Sequence, residues 1–112
     1  LAGLLDSAEL PNLKELFRDK DIGCAAVHLV DEKIIVHSEL YGKVGKEKME
    51  VVRSVSEAID EAFRAKGVKK LHTWAGTDEQ YRYNLFLGYR PTGEEVTFDG
   101  VPSGFFEFEK DL

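Results

Sequence analysis

The sequence predicts a mixed α/β domain of the α+β kind. Its sheet is mostly antiparallel, with a central parallel strand pair joined by a long helix. Three observations predict it. Two apolar runs, 24–30 and 34–41, are separated by a short polar turn and read as adjacent antiparallel strands. An apolar stripe of period near 3.6 over about 45–66 leads directly into a further apolar run at 68–75, so strand, helix and strand make a right-handed parallel unit. A capping-box sequence at Thr77–Gln80 then opens another helix before a pair of C-terminal strands.

Each element has its own signal. Pro11 suits the first turn of a helix, and Leu10, Leu13, Leu16 and Phe17 follow at helical spacing, which predicts a helix over about 11–19 closed by Asp19, Asp21 and Gly23. Asp31-Glu32-Lys33 is the turn of the first hairpin. Gly42 and Gly45 break the pattern that follows it. Met49, Val52, Val55, Ile59, Ala62 and Phe63 form the apolar stripe of the long helix, and Gly67 ends it as a left-handed cap. In the strand Val68–Ala75, Leu71, Thr73 and Ala75 share one face while His72 and Trp74 share the other. Apolar character on both faces marks a central, covered strand. The Thr77 hydroxyl is expected to accept from the Gln80 amide, with Gln80 reaching back, and Asp78 and Glu79 suit the positive end of that helix. Gly88 and Pro91 stop it near Leu87. Val96 and Phe98, then Phe106 and Phe108, alternate with polar neighbours as a final hairpin about the loop Asp99–Gly104. Its phenylalanines are expected in the core or at a subunit contact.

Composition bounds the function. A length of 112 residues fits one domain, here divided into an N-terminal helical segment (1–22) and a core (23–112). With 43% hydrophobic and 32% charged residues it is an ordinary globular chain. A net charge of −6 argues against broad nucleic-acid binding, which needs a basic face. No run approaches the roughly 20 apolar residues of a membrane span, and no signal peptide is visible, so a cytoplasmic location is expected. Cys24 is the one cysteine. It fits a reducing compartment and reads as a small buried hydrophobe. His28 and His72 lack metal-ligand spacing and read as sheet histidines, so no metal is expected. The first residue is Leu1, which fits a fragment or a processed product.

The element order, the stretch from Trp74 to Pro91, the tripeptide Leu87-Gly88-Tyr89 and the glycine-containing loop before the long helix together resemble the C-terminal part of the GNAT acyltransferase superfamily. The likeness covers roughly residues 22–110. It implies that N-terminal elements of the family lie before this chain. It also implies acetyl-CoA as cofactor, held at the loop Gly42, Lys43, Val44, Gly45 and Lys46, where helix amides and the helix dipole attract an anion. Lys43, Lys46, Lys48 and Arg53 would add charge. An ordinary turn and a solvated helix face, with Glu47 and Glu50 offsetting the lysines, explains the same residues.

The departures from the family pattern matter. Where the family has Gln/Arg-x-x-Gly-x-Gly/Ala, this chain has Gly42 at the first position and Glu47 at the last, whose carboxylate is expected to repel a pyrophosphate. The position of the family's usual acid, a tyrosine four residues before the closing glycine, is Asn84, and an amide cannot donate a proton as a phenol does. Tyr81 and Tyr83 are expected to point elsewhere on the helix. Glu39 is the first candidate for the base and His37 the second, unless both are strand residues facing solvent or a helix. Trp74 is expected in the core. The nearest look is to small GNAT-like proteins of short-tailed bacteriophages, of the internal virion or head-assembly type. They share the glycine-lysine loop, the long charged helix and the tryptophan-bearing strand.

Two functions stay open on the sequence. One is a GNAT-fold domain with a degenerate site, needing no acetyl-CoA, that serves as a phage virion or assembly protein with a protein partner, and can form oligomers through the C-terminal hairpin. The other is an active acetyl-CoA-dependent N-acetyltransferase with Glu39 as base. An unrelated α/β fold is a third. A bulged strand near Glu39–Tyr41 and a V-shaped gap beside 68–75 would speak for the GNAT fold.

Overall fold

The computed structural model describes residues 13–97, 101 and 103–112. The elements in chain order are β1 (Lys14–Asp19), β2 (Gly23–Val30), β3 (Lys33–Leu40), α1 (Lys46–Ala65), β4 (Lys70–Ala75), α2 (Asp78–Phe86), β5 (Arg90–Glu95) and β6 (Phe106–Asp111). They form a 6-stranded sheet in the order β1-β2-β3-β4-β6-β5. Every neighbouring pair is antiparallel except β3 and β4, which are parallel and bridged by α1.

The helix expected over 11–19 is instead β1 where it is described, so the helical segment assigned to 1–22 does not hold for residues 14–19. Leu10 and Pro11 lie outside the described residues. The physical reason is a bulge. Glu15 pairs with Ala26 and Phe17 with Ala25, which leaves Leu16 as an extra residue. That insertion breaks the period of two, and Leu13, Leu16 and Phe17 then imitate helical spacing.

The β2–β3 hairpin turns through Asp31 (φ 48) and Glu32 (φ 67). Two consecutive left-handed residues are what a type I′ hairpin turn requires, and here neither is glycine. From Val30–Lys33 to Gly23–Leu40 the register runs without a shift, and the Tyr41 amide still donates to the Ile22 carbonyl at 3.0 Å. The bulge expected near Glu39–Tyr41 is therefore absent, because the β2 ladder holds β3 straight to its end. The chain turns away at Gly42 instead, where φ is 64 and a side chain would be strained.

Both helices pack on the same face of the sheet. Ile59 and Phe63 of α1, with Leu87 after α2, cover the buried cluster Leu71, Ala75, Tyr89 and Phe108. The Arg53 guanidinium lies 4.4 Å from the centre of the Phe86 ring and joins the two helices. Lys110 of β6 is buried beneath them. Its ammonium donates to Asp60 Oδ2 at 2.8 Å and to the Leu87 carbonyl at 2.9 Å. The opposite face carries Ile35 and Trp74, against Leu13, Val30, Val96, Val101 and Phe105.

The C-terminal hairpin begins earlier than the alternation of Val96 and Phe98 suggested. β5 starts at Arg90 and carries Pro91 and Gly93, residues that disguise a strand in sequence. Pro91 is tolerated because β5 is an edge strand, where a missing amide donor costs no ladder bond. Val96 continues toward β6 through its amide, which donates to the Phe105 carbonyl at 2.8 Å. Phe98, Asp99, Gly100 and Pro102 lie outside the described residues. Phe108 is fully buried, as expected for core. Among the described residues, no helix is long and apolar enough to cross a membrane.

Candidate functional site

The parallel pair is where the sheet opens. Its register holds one Cα partner pair, Ile35 with His72, supported by the Thr73 hydroxyl donating to the Val36 carbonyl at 2.7 Å. Past that point β3 continues to Leu40 along β2, while β4 continues to Ala75 along β6. The two strands part, and the V-shaped gap expected beside 68–75 is present. Ligands in sheets of this kind collect beyond the carboxyl ends of parallel strands, which is where the gap lies.

A groove of about 880 Å³ extends from the gap. That volume falls in the range of small-molecule sites. Leu40, Gly42, Val44 and Met49 line one bank, and Thr77, Asp78, Glu79, Gln80, Arg82, Tyr83 and Phe86 line the other. Of the loop residues singled out in the sequence, Gly42 and Val44 reach the groove, and Gly45 is the N-cap of α1. Gly45 has extended backbone and no side-chain cap, and the Met49 amide makes the first turn's bond to its carbonyl at 3.0 Å. The amides of Lys46, Glu47 and Lys48 precede that bond and are the donors a helix start offers to an anion. Lys43 and Lys46 are exposed. The Lys48 ammonium bonds the Tyr41 carbonyl and so braces the loop. Glu47, expected to face a pyrophosphate, borders a separate depression on the outer side of α1 with Glu50 and Val51.

The α2 bank is capped as expected. Thr77 Oγ1 accepts from the Gln80 amide at 3.2 Å. Gln80 reaches back one residue further than a capping box requires, its Oε1 accepting from the Gly76 amide at 2.6 Å. At Gly76 a Cβ would stand 2.9 Å from the Phe105 ring, so this close approach needs glycine.

The phenol expected to point elsewhere lies in the gap. Tyr83 borders the groove, and its hydroxyl accepts from Ser38 Oγ of β3 at 3.0 Å. Burial pushes the Tyr83 pKa up, while the Ser38 hydrogen bond opposes that shift. Asn84, at the position counted for the acid, is a brace: it is buried, and its Nδ2 donates to the Trp74 carbonyl at 3.3 Å, holding the end of β4. Sequence reasoning missed Tyr83 and Ser38. The signal was there: Tyr83, Asn84 and Leu87 follow Gln80 at the 3, 4, 7 spacing of a buried helix face.

Glu39 is 2% exposed and faces neither solvent nor α1. Its side chain shares the face of Cys24 and His37, on the other side of the sheet from Ser38, with Cys24 Sγ 3.9 Å from Oε2. His37 Nε2 lies 2.8 Å from His28 Nδ1, the two rings stack at 4.7 Å, and Trp74 meets both edge-on. Burial, then the neighbouring His28, pushes the His37 pKa down to about 3, and burial alone lowers His28. His37 is a packed, neutral ring at neutral pH. His72 is likewise lowered by burial, against a smaller opposite effect from Glu107. Among the described residues no group of three or more His, Cys, Asp or Glu could hold a metal ion.

No protein-family model matches the sequence, and no curated protein does. Solved structures match the fold. An IAA acetyltransferase from Bacillus cereus superposes with TM-score 0.66 at 11% identity, over 99% of this chain and 85% of that one. A Bacillus subtilis acetyltransferase in complex with CoA gives 0.60 at 12%, over 99% and 84%. A GNAT family acetyltransferase from Elizabethkingia anophelis with acetyl-CoA bound gives 0.60 at 16%, over 99% and 84%. At these identities the likeness is one of fold. The architecture is that of the GNAT acetyltransferases.

Proposed function

We propose that this chain binds an acyl-CoA, acetyl-CoA in the simplest case, in the groove between α1 and α2 and transfers the acyl group to an amine. The observation that carries the reading is the Tyr83 hydroxyl, held by Ser38 where β3 and β4 part. The residues present fit such a donor. The uncapped start of α1 offers amides to phosphate, Arg82 adds a positive charge on the facing bank, and Leu40, Val44 and Phe86 offer apolar surface to a slender arm. Two structures of the same fold hold CoA or acetyl-CoA.

In the reaction, the amine nitrogen attacks the thioester carbonyl carbon. A C–N bond forms and the C–S bond breaks. The proton the amine loses passes to water in the groove, since the Glu39 carboxylate is buried on the opposite face of the sheet, and Tyr83 gives its proton to the departing sulfur. Its raised pKa keeps the phenol protonated at neutral pH, as an acid must be. Tyr83→Phe should lower kcat by about 10²-fold or more with donor affinity kept. Equal turnover by the two proteins across an amine panel would remove Tyr83 from this role.

A second reading keeps the fold without the chemistry: a phage-type virion or assembly protein, in the host cytoplasm or the particle, that binds a protein partner. Asp78 and Glu79 on the groove wall and the Lys48 contact that pins the loop favour it. It predicts no heat of binding with millimolar acetyl-CoA and no turnover with any amine.

A further inference from the structure

The gap continues past Tyr83. Between the sheet and α1 lies a cavity of about 40 Å³, and Tyr83 and Leu40 border both it and the groove, so the two spaces meet at these side chains. Its walls are apolar: Ala25 and Val36 from the sheet, Val52, Val55 and Ile59 from α1, and Leu87. Ser56 and Tyr89 also line it, and three further polar groups of the lining are engaged. Ser38 bonds Tyr83, Thr73 bonds the Val36 carbonyl, and Asn84 bonds the Trp74 carbonyl. The apolar share of the lining outweighs the polar share, so an apolar group that fills the space gains contacts a polar chain does not. Size limits that occupant. One water takes about 30 Å³ in the liquid, so the cavity has room for one or two carbon atoms.

We infer that this cavity receives the end of a short acyl chain, so that the preferred donor is propionyl- or butyryl-CoA over acetyl-CoA. The inference rests on the reading of the groove as an acyl-CoA site. An acetyl group stops at the thioester carbon's own methyl and leaves the apolar walls without contacts. One or two further carbons fill the space, and a longer chain meets α1.

Calorimetric titration of the full chain with acetyl-, propionyl-, butyryl- and hexanoyl-CoA tests it. Each methylene buried should tighten binding by about fourfold, so butyryl-CoA should bind about fifteenfold more tightly than acetyl-CoA, with hexanoyl-CoA losing that gain. Val52→Phe, which fills the cavity from α1, should bring the butyryl-to-acetyl ratio close to one. Val52 is buried, so Val55→Phe at a half-buried site is the second variant, with folding of both checked by circular dichroism. Acetyl-CoA binding as tightly as butyryl-CoA, or a ratio that survives both variants, overturns the inference while leaving the groove reading intact. Failure of all four donors to bind overturns the groove reading and this inference with it.

Discussion

The ion pair between Lys110 and Asp60 offers the sharpest test of how α1 is held over the gap. The Lys110 side chain is 10% exposed and Asp60 15%. The ammonium lies 2.8 Å from Asp60 Oδ2, 2.9 Å from the Leu87 carbonyl, 3.5 Å from Ser56 Oγ and 4.3 Å from the centre of the Tyr89 ring. Asp60→Ala removes the one carboxylate that Lys110 contacts among the described residues and leaves a buried charge on neutral partners. Breaking a buried pair in this way costs about 3–5 kcal/mol. Against a typical total of about 5–15 kcal/mol, that is a large share of the stability. Melting should fall by more than about 10 °C, since each 1 kcal/mol moves a domain of this size by about 4–8 °C. Urea denaturation followed by far-UV circular dichroism reads the loss directly. The double variant Asp60→Leu/Lys110→Met should recover most of it, because a packed apolar pair carries no desolvation penalty. A loss below about 1 kcal/mol for Asp60→Ala would place the pair in the class of exposed ion pairs and refute the burial on which the reasoning depends.

Other expectations are independent of this pair. Glu32 holds φ 67 in the β2–β3 turn, so Glu32→Gly should raise stability by about 0.5–1 kcal/mol, read as a higher urea midpoint. Gly76→Ala places a Cβ 2.9 Å from the Phe105 ring and should cost about 1–3 kcal/mol, with the Trp74 fluorescence reporting any rearrangement of that face. The buried His28–His37 pair makes stability fall in acid. Both folded pKa values lie below the unfolded 6.5, so the unfolded chain binds more protons from about pH 6.5 down to about 3, and stability is lost as pH drops through that window. His37 alone can contribute up to about 1.4 kcal/mol per pH unit there. In His37→Gln the slope between pH 6 and 4.5 should flatten, and an unchanged slope would assign the acid loss to other groups.

The fold was legible where one physical signal dominated. The alternation on both sides of Asp31-Glu32, the stripe from Met49 to Phe63 and the Thr77 cap each survived intact, because burial and capping there agree with local propensity. Legibility failed where an irregularity shifted the period. Leu16 as a bulge residue turned β1 into an apparent helix. Pro91 and Gly93 hid β5, whose edge position, invisible in sequence, makes them harmless. For the site, the loop and the gap were legible from the order of elements. Tyr83 was not, because counting back from Gly88 assigns the acid position to Asn84, and one residue of rotation on α2 separates a brace on Trp74 from a phenol in the gap. The straight β3 was illegible for a similar reason: the pairing of Gly23 with Leu40 that suppresses a bulge is a tertiary fact.

Whether the parted strands admit a thioester donor decides the function. Amide chemical-shift mapping during titration with acetyl-CoA measures this most directly. The predicted result is a contiguous set of perturbations at the end of β3, the 41–48 loop and the first turns of α2, with Ser38 and Tyr83 among them. Silence at millimolar donor, or shifts gathered on β5 and β6, would contradict it.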